Sequence, residues 1–91
     1  MREINEIRRA THVRDHVIFL EFDDGTAGEI DLTLYIERGP IFRPLADLSF
    51  FRRFSLEGGT LTWPNGADIA PETLYEMTTS AIKQAERTVL R

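Results

Sequence analysis

The sequence predicts an α+β fold: a small antiparallel sheet of about five short strands in two hairpins, packed with two or three helices, the last of them C-terminal. Three observations lead there. Apolar residues follow the strand period in two separate regions, each interrupted by turn-forming residues. The final stretch changes to helical spacing and contains neither Gly nor Pro after Pro71. Strands do not alternate with helices along the chain, which argues against a doubly wound sheet.

Ile4 and Ile7 precede a polar stretch that ends at Val13, so an edge-like first strand is expected over residues 5–12. A second strand covers residues 17–22, with Ile18, Leu20 and Phe22 on one face. Val17 and Phe19 make the other face apolar too, which places this strand in the centre of its sheet. Asp23-Asp24-Gly25-Thr26 has hairpin-turn chemistry, and residues 27–32 return as a third strand to complete an antiparallel meander. Asp31 suits the N-cap of a single helical turn that ends at Gly39-Pro40. A short helix is expected from about Pro44, with Leu45, Leu48 and Phe51 pointing inward. Phe50 is adjacent to Phe51 and cannot share its direction, which leaves one of the two exposed or under a loop. Residues 54–57 and 60–63 read as a second hairpin around Gly58-Gly59.

The run from Trp63 to Tyr75 is the most constrained part of the chain. Pro64 removes a ladder donor and stops the strand that carries Trp63. Asn65-Gly66 supplies two residues that tolerate positive φ, as a sharp reversal needs. Pro71 fits the first position of a helix, with Glu72 near the positive end of its dipole. Along that helix Tyr75, Thr78, Ile82, Ala85 and Val89 fall on one stripe, with Lys83, Glu86 and Arg87 outside it. The stripe holds few large apolar side chains. The helix is therefore expected to pack on its own sheet up to about Ala85, with the last turn fraying or docking on a second copy.

Trp63-Pro64-Asn65-Gly66-Ala67-Asp68-Ile69-Ala70-Pro71-Glu72, followed by Leu74-Tyr75, resembles the closing signature of a small bacterial family, domain of unknown function 2442. Phe19-Leu20-Glu21-Phe22-Asp23-Asp24-Gly25 and Gly28-Glu29-Ile30-Asp31-Leu32 are similar to that family's opening half. Phe42-Arg43-Pro44-Leu45-Ala46-Asp47 and then Phe51 resemble its middle. The resemblance implies a compact α+β domain, found alone or ahead of a helix-turn-helix, in genes sometimes paired as toxins and antitoxins are. It supplies no catalytic residues. After Tyr75 the chain departs from the family's longer forms, because too few residues follow for a DNA-binding domain.

Composition narrows the function classes. Ninety-one residues suit one domain, residues 1–91, and 42% hydrophobic with 29% charged residues is ordinary for a globular chain. The absence of Cys excludes disulfides, thiolate metal sites and a cysteine nucleophile. No apolar run approaches the ~18–20 residues of a membrane span, and acidic residues stand where a signal peptide needs an apolar core. A cytoplasmic protein with no membrane contact is expected. A net charge of −4 argues against tight non-specific nucleic-acid binding, although Arg8, Arg9, Arg14, Arg43, Arg52 and Arg53 could converge into a local patch.

Candidate chemistry is sparse. His12 and His16 are four apart, but they lie in a strand-and-turn context. If Val13-Arg14-Asp15 were a hairpin loop they would face each other, with only Asp15 near enough to add a ligand. Asp23, Asp24, Asp31, Asp47 and Asp68 supply carboxylates, yet the turn explains Asp23-Asp24, capping explains Asp31, and side-chain bonds to backbone N–H before the helix explain Asp68. Arg43 and Asp47 have the spacing of a surface ion pair. Ser49, Ser55 and Ser80 lack a nucleophile-elbow context, and Gly58, Gly59 and Gly66 lack a phosphate-loop pattern. A non-enzyme without metal or cofactor is expected. Trp63 and Tyr75 beside a polar turn suit interface anchors, or else Trp63 locks the turn onto the core through its indole N–H. The expected function is a protein–protein interaction module whose surface draws on Trp63, Asn65, Asp68, Tyr75, Arg52 and Arg53. Its partner would be another protein or a second copy. The alternative is a regulator that contacts nucleic acid through an arginine patch.

Overall fold

The structure, a computed structural model, describes residues 5–89, with side chains as far as Gln84. Among the described residues six strands form two three-stranded antiparallel sheets. The first sheet holds β1 (Ile7–Arg14), β2 (Val17–Phe22) and β3 (Ala27–Asp31) in sequence order, so β2 is central as its two apolar faces require. Its inner face presents Ile18, Leu20, Phe22 and Ile30, all buried. The first strand starts and ends two residues later than the polar stretch suggested. It carries irregularities between Ile7 and Arg9 and between His12 and Arg14, which let it bend across the second sheet.

Two 3-10 helices, Thr33–Arg38 and Pro40–Ala46, follow β3. Asp31 begins the first of them from a turn and not as its cap residue. Its carboxylate accepts the Thr33 N–H at 2.9 Å and the Thr33 hydroxyl at 2.6 Å. The single helix expected from Pro44 is broken in two. Pro44 lies inside the second 3-10 segment, and Asp47 caps a separate four-residue helix, α1 (Leu48–Phe51), by accepting the Ser49 N–H at 3.0 Å. The three inward positions survive this break, since Leu45 and Phe51 are fully buried and Leu48 packs against them. Phe50 is half-buried against the same core.

The second sheet holds β4 (Ser55–Glu57), β5 (Thr60–Thr62) and β6 (Asp68–Ile69). The sixth strand was not expected: Asp68 pairs with Thr62 in the ladder and does not cap the last helix. Ile7 N–H donates to the Gly59 carbonyl at 3.3 Å, which ties the first strand to the second hairpin. The last helix, α2 (Pro71–Val89), lies against β3. Its core-facing residues are Leu74 and Thr78, both fully buried. Leu74, absent from the expected stripe, takes the inward place. Gly28 of β3 permits the approach, because a Cβ there would lie 3.3 Å from Thr78 Cγ2 and 3.6 Å from Ile82 Cγ1. The expected packing of this helix on its own sheet holds through Ile82. Ile4 and the side chains of Ala85, Glu86, Arg87 and Val89 lie outside the described residues. Both sheets, Leu45, Phe51 and Leu74 share one hydrophobic cluster.

Candidate functional site

The residues singled out by sequence serve three different neighbourhoods. Trp63 is 3% exposed, and its indole N–H donates to the Phe51 carbonyl at 2.8 Å. Its ring stands 5.9 Å from Phe51 and 6.5 Å from Phe54. Of its two readings, the structure takes the one in which Trp63 locks the turn to the core. Arg52 and Arg53 are exposed at the end of α1.

Asn65 sits in a three-residue loop that closes through Gly66 N–H to the Trp63 carbonyl and Trp63 N–H to the Ala67 carbonyl. Only Gly66, at φ +92°, uses the left-handed region, as a hairpin loop of this length requires. Asn65 Oδ1 accepts the Ala67 N–H at 3.1 Å, and its Nδ2 donates to the Ile41 carbonyl at 2.9 Å. The β2–β3 loop repeats this design. Gly25 has φ +91°, Phe22 N–H donates to the Thr26 carbonyl, and Asp24 Oδ1 accepts the Thr26 N–H at 2.9 Å.

Tyr75 joins α2 to that second loop. Its hydroxyl donates to Asp24 Oδ2 at 2.6 Å and lies 3.2 Å from the Thr26 hydroxyl, while its ring meets Phe22 edge-on at 5.0 Å. The Tyr75 bond, more than the Thr26 N–H, holds the Asp24 carboxyl below the ordinary 3.8. Asp31 and Asp47 are lowered likewise, first by the hydroxyls of Thr33 and Ser49 and then by the same residues' N–H groups. Asp47 thus serves its cap and not an ion pair with Arg43. Asp68 is exposed on β6.

The two histidines are each bonded to a backbone carbonyl. β1 runs on to Arg14, so Asp15 and His16 form the turn, with Asp15 at φ 42°. His12 Nε2 donates to the Asp15 carbonyl at 2.8 Å and His16 Nε2 to the Leu45 carbonyl at 2.7 Å. Both rings pack edge-on against Phe51. Among the described residues no group of three or more His, Asp or Glu side chains could hold a metal ion. Arg8 and Arg9 reach Glu21 at 3.9 and 3.4 Å, and Arg14 reaches Glu29 at 3.8 Å, so half of the arginines considered for an anion patch stand beside carboxylates.

What the sequence did not reveal is an open groove of about 520 Å³ between β3 and α2. Glu29, Ile30 and Asp31 form one wall, and Glu76, Met77 and Ala81 contribute to the other. A smaller hollow of about 320 Å³ extends it past Asp31 and Met77 toward Tyr35 and Arg38. The only local signal was Gly28 inside a strand, which marks close approach of a neighbouring element but not a groove.

The family described as "Protein of unknown function (DUF2442)" matches residues 7–80, from β1 into α2, and the chain belongs to it. No curated protein and no solved structure matches. Among the described residues no helix is long and apolar enough to cross a membrane.

Proposed function

We propose that this member of the family is a non-catalytic protein–protein interaction module, the accessory, antitoxin-like half of a two-gene pair. One observation carries the reading: β3 is an outer strand of its sheet, and an open groove runs between it and α2. A sheet edge beside a groove is the form in which folded domains accept a segment of another chain. The polar side chains that an enzyme would need support the same reading by what they already do. Asp24, Asp31 and Asp47 accept turn and cap hydrogen bonds, and both histidines donate to backbone carbonyls.

The test is co-expression with the product of the adjacent gene, followed by affinity capture and size-exclusion chromatography. A stoichiometric complex is expected. The reading is wrong if the two products elute separately and the chain instead turns over a substrate. Contact with nucleic acid through arginines has thinner support, because Arg8, Arg9 and Arg14 lie beside Glu21 and Glu29.

A further inference from the structure

We infer that the groove receives an extended, basic segment of the partner, which adds to β3 as a fourth strand of the first sheet. This rests on the interaction reading above and names the partner's chemistry. Three features of the molecule converge on it.

The first is the direction of the backbone groups. Leu32 N–H donates to the His16 carbonyl and Phe22 N–H to the Thr26 carbonyl, so pairs 16–32 and 22–26 are hydrogen-bonded positions of the hairpin. Hydrogen-bonded pairs alternate along an antiparallel ladder, which assigns Ile18–Ile30 and Leu20–Gly28 to the same class. The N–H and C=O groups of Gly28 and Ile30 therefore point to β2. Those of Ala27 and Glu29 point the other way, to the side where no strand follows among the described residues. Groups at such an edge are a template for a further strand.

The second feature is the floor. α2 crosses the inner face at Gly28, with Leu74 and Thr78 beneath the sheet, and its flank at Met77 and Ala81 extends past β3. An added strand would lie ~4.8 Å outside β3. Its inward side chains would then meet Met77 and Ala81, both only partly buried.

The third feature is charge. Glu29 and Asp31, on the Phe19 face of β3, and Glu76, on the α2 side, flank the groove, with no Lys or Arg among its described lining residues. Arg38 stands only at the far end, over the Tyr35 ring, and Arg14 reaches Glu29 from the sheet side. This selects Lys or Arg in the incoming strand. It also disfavours a second copy: antiparallel pairing of two β3 edges centred on Glu29 would set one Glu29 against the other, and like charges directly opposite destabilise a pair.

A fluorescent peptide of four Lys-Val repeats, its Glu-Val counterpart, and a Lys-Val version N-methylated at alternate residues serve as probes against the full chain. Binding of the Lys-Val peptide is expected to shift the amide signals of Ala27, Glu29, Met77 and Ala81. It should also slow hydrogen exchange at the Ala27 and Glu29 amides at least tenfold. The Glu-Val and N-methylated peptides should bind at least tenfold more weakly. Ala81→Trp, which fills the groove, should weaken the Lys-Val peptide by a similar factor with the melting temperature checked. Glu29→Lys combined with Glu76→Lys should invert the preference between the two charged peptides. The inference is overturned if the Lys-Val peptide does not bind, binds Ala81→Trp equally well, or leaves the Ala27 and Glu29 amides unshifted. Sedimentation showing β3-linked dimers without peptide overturns it too. A complex with the adjacent gene's product that survives Ala81→Trp removes the groove but leaves the interaction reading. A groove that binds the peptide while that product elutes separately removes the gene pairing alone.

Discussion

Replacing Gly66 with Ala isolates the cost of backbone conformation, because the space around it is empty. A Cβ built at Gly66 meets nothing within 4 Å, yet φ there is +92°. Left-handed backbone costs an L-residue roughly 1–2 kcal/mol. Ala also restricts the unfolded chain, which offsets about 0.4–1 kcal/mol of that. A net loss on the order of 1 kcal/mol follows for Gly66→Ala, equivalent to a fall of about 4–8 °C in Tm for a domain of this size. Gly66→Val, with a branched Cβ, should lose roughly 2 kcal/mol or more. Gly39 is the internal control. It is also open to solvent on its Cβ side, but its φ of 175° is extended backbone that any residue adopts. Gly39→Ala should therefore be neutral or stabilising by up to about 1 kcal/mol. Urea unfolding followed by circular dichroism at pH 7 reads both variants, with an unchanged m-value confirming that the comparison is one of stability. Equal shifts for Gly66→Ala and Gly39→Ala, or no loss at Gly66, would refute the reasoning.

Trp63→Phe strands the buried Phe51 carbonyl and should cost about 1–3 kcal/mol for that acceptor alone, read by urea unfolding with circular dichroism since Trp63 is the single tryptophan. Asn65→Asp keeps the acceptor for the Ala67 N–H but sets a carboxylate against the Ile41 carbonyl; a loss on the order of 1 kcal/mol is expected in the same assay. Tyr75→Phe should lower Tm at pH 7. Because Asp24 is depressed below 3.8 chiefly by Tyr75, that stabilisation is present above the unfolded value and fades as pH falls through the folded one, so the gap to wild type should narrow below pH 3.8. Duplex DNA should bind no more tightly than the ~10⁻⁴–10⁻⁶ M of non-specific contacts, checked by anisotropy across a salt series.

The first sheet was legible because its signals are local. Ile18, Leu20 and Phe22 alternate, Asp24-Gly25 turns, and both faces of β2 are apolar, which is enough to fix a central strand. The rest was lost where tertiary partners override spacing. Asp68 is a polar residue between a turn and a proline, so it read as part of a helix start, and only its pairing with Thr62 makes it a strand. Leu45, Leu48 and Phe51 have helical spacing, but Pro44 and the Asp47 cap divide them between two segments that still deliver all three inward. On α2 the stripe was counted from Tyr75, yet its ring lies against Phe22 with the hydroxyl reaching the β2–β3 loop. Leu74 fills the core instead. The groove was illegible for a deeper reason. The meander already left β3 at an edge, but only the tertiary approach of α2 at Gly28 sets a helix flank beside that edge, and no window of sequence states where the helix will lie.

The two like-built loops show where sequence ends and tertiary structure begins. Asp24 and Asn65 occupy the same place, each one residue before a glycine with φ near +90° and each accepting the N–H two residues on. Locally the two residue types are interchangeable, since either side-chain oxygen makes that bond. The difference is decided by the second contact. Asp24 meets the Tyr75 hydroxyl, a donor that a carboxylate accepts at 2.6 Å. Asn65 meets the Ile41 carbonyl, an acceptor that only the amide nitrogen can satisfy, at 2.9 Å. One loop thereby holds the C-terminal helix and the other holds the 3-10 segment. The turn is written in the dipeptides Asp24-Gly25 and Asn65-Gly66, while the choice between acid and amide is written by residues 51 and 24 positions away along the chain.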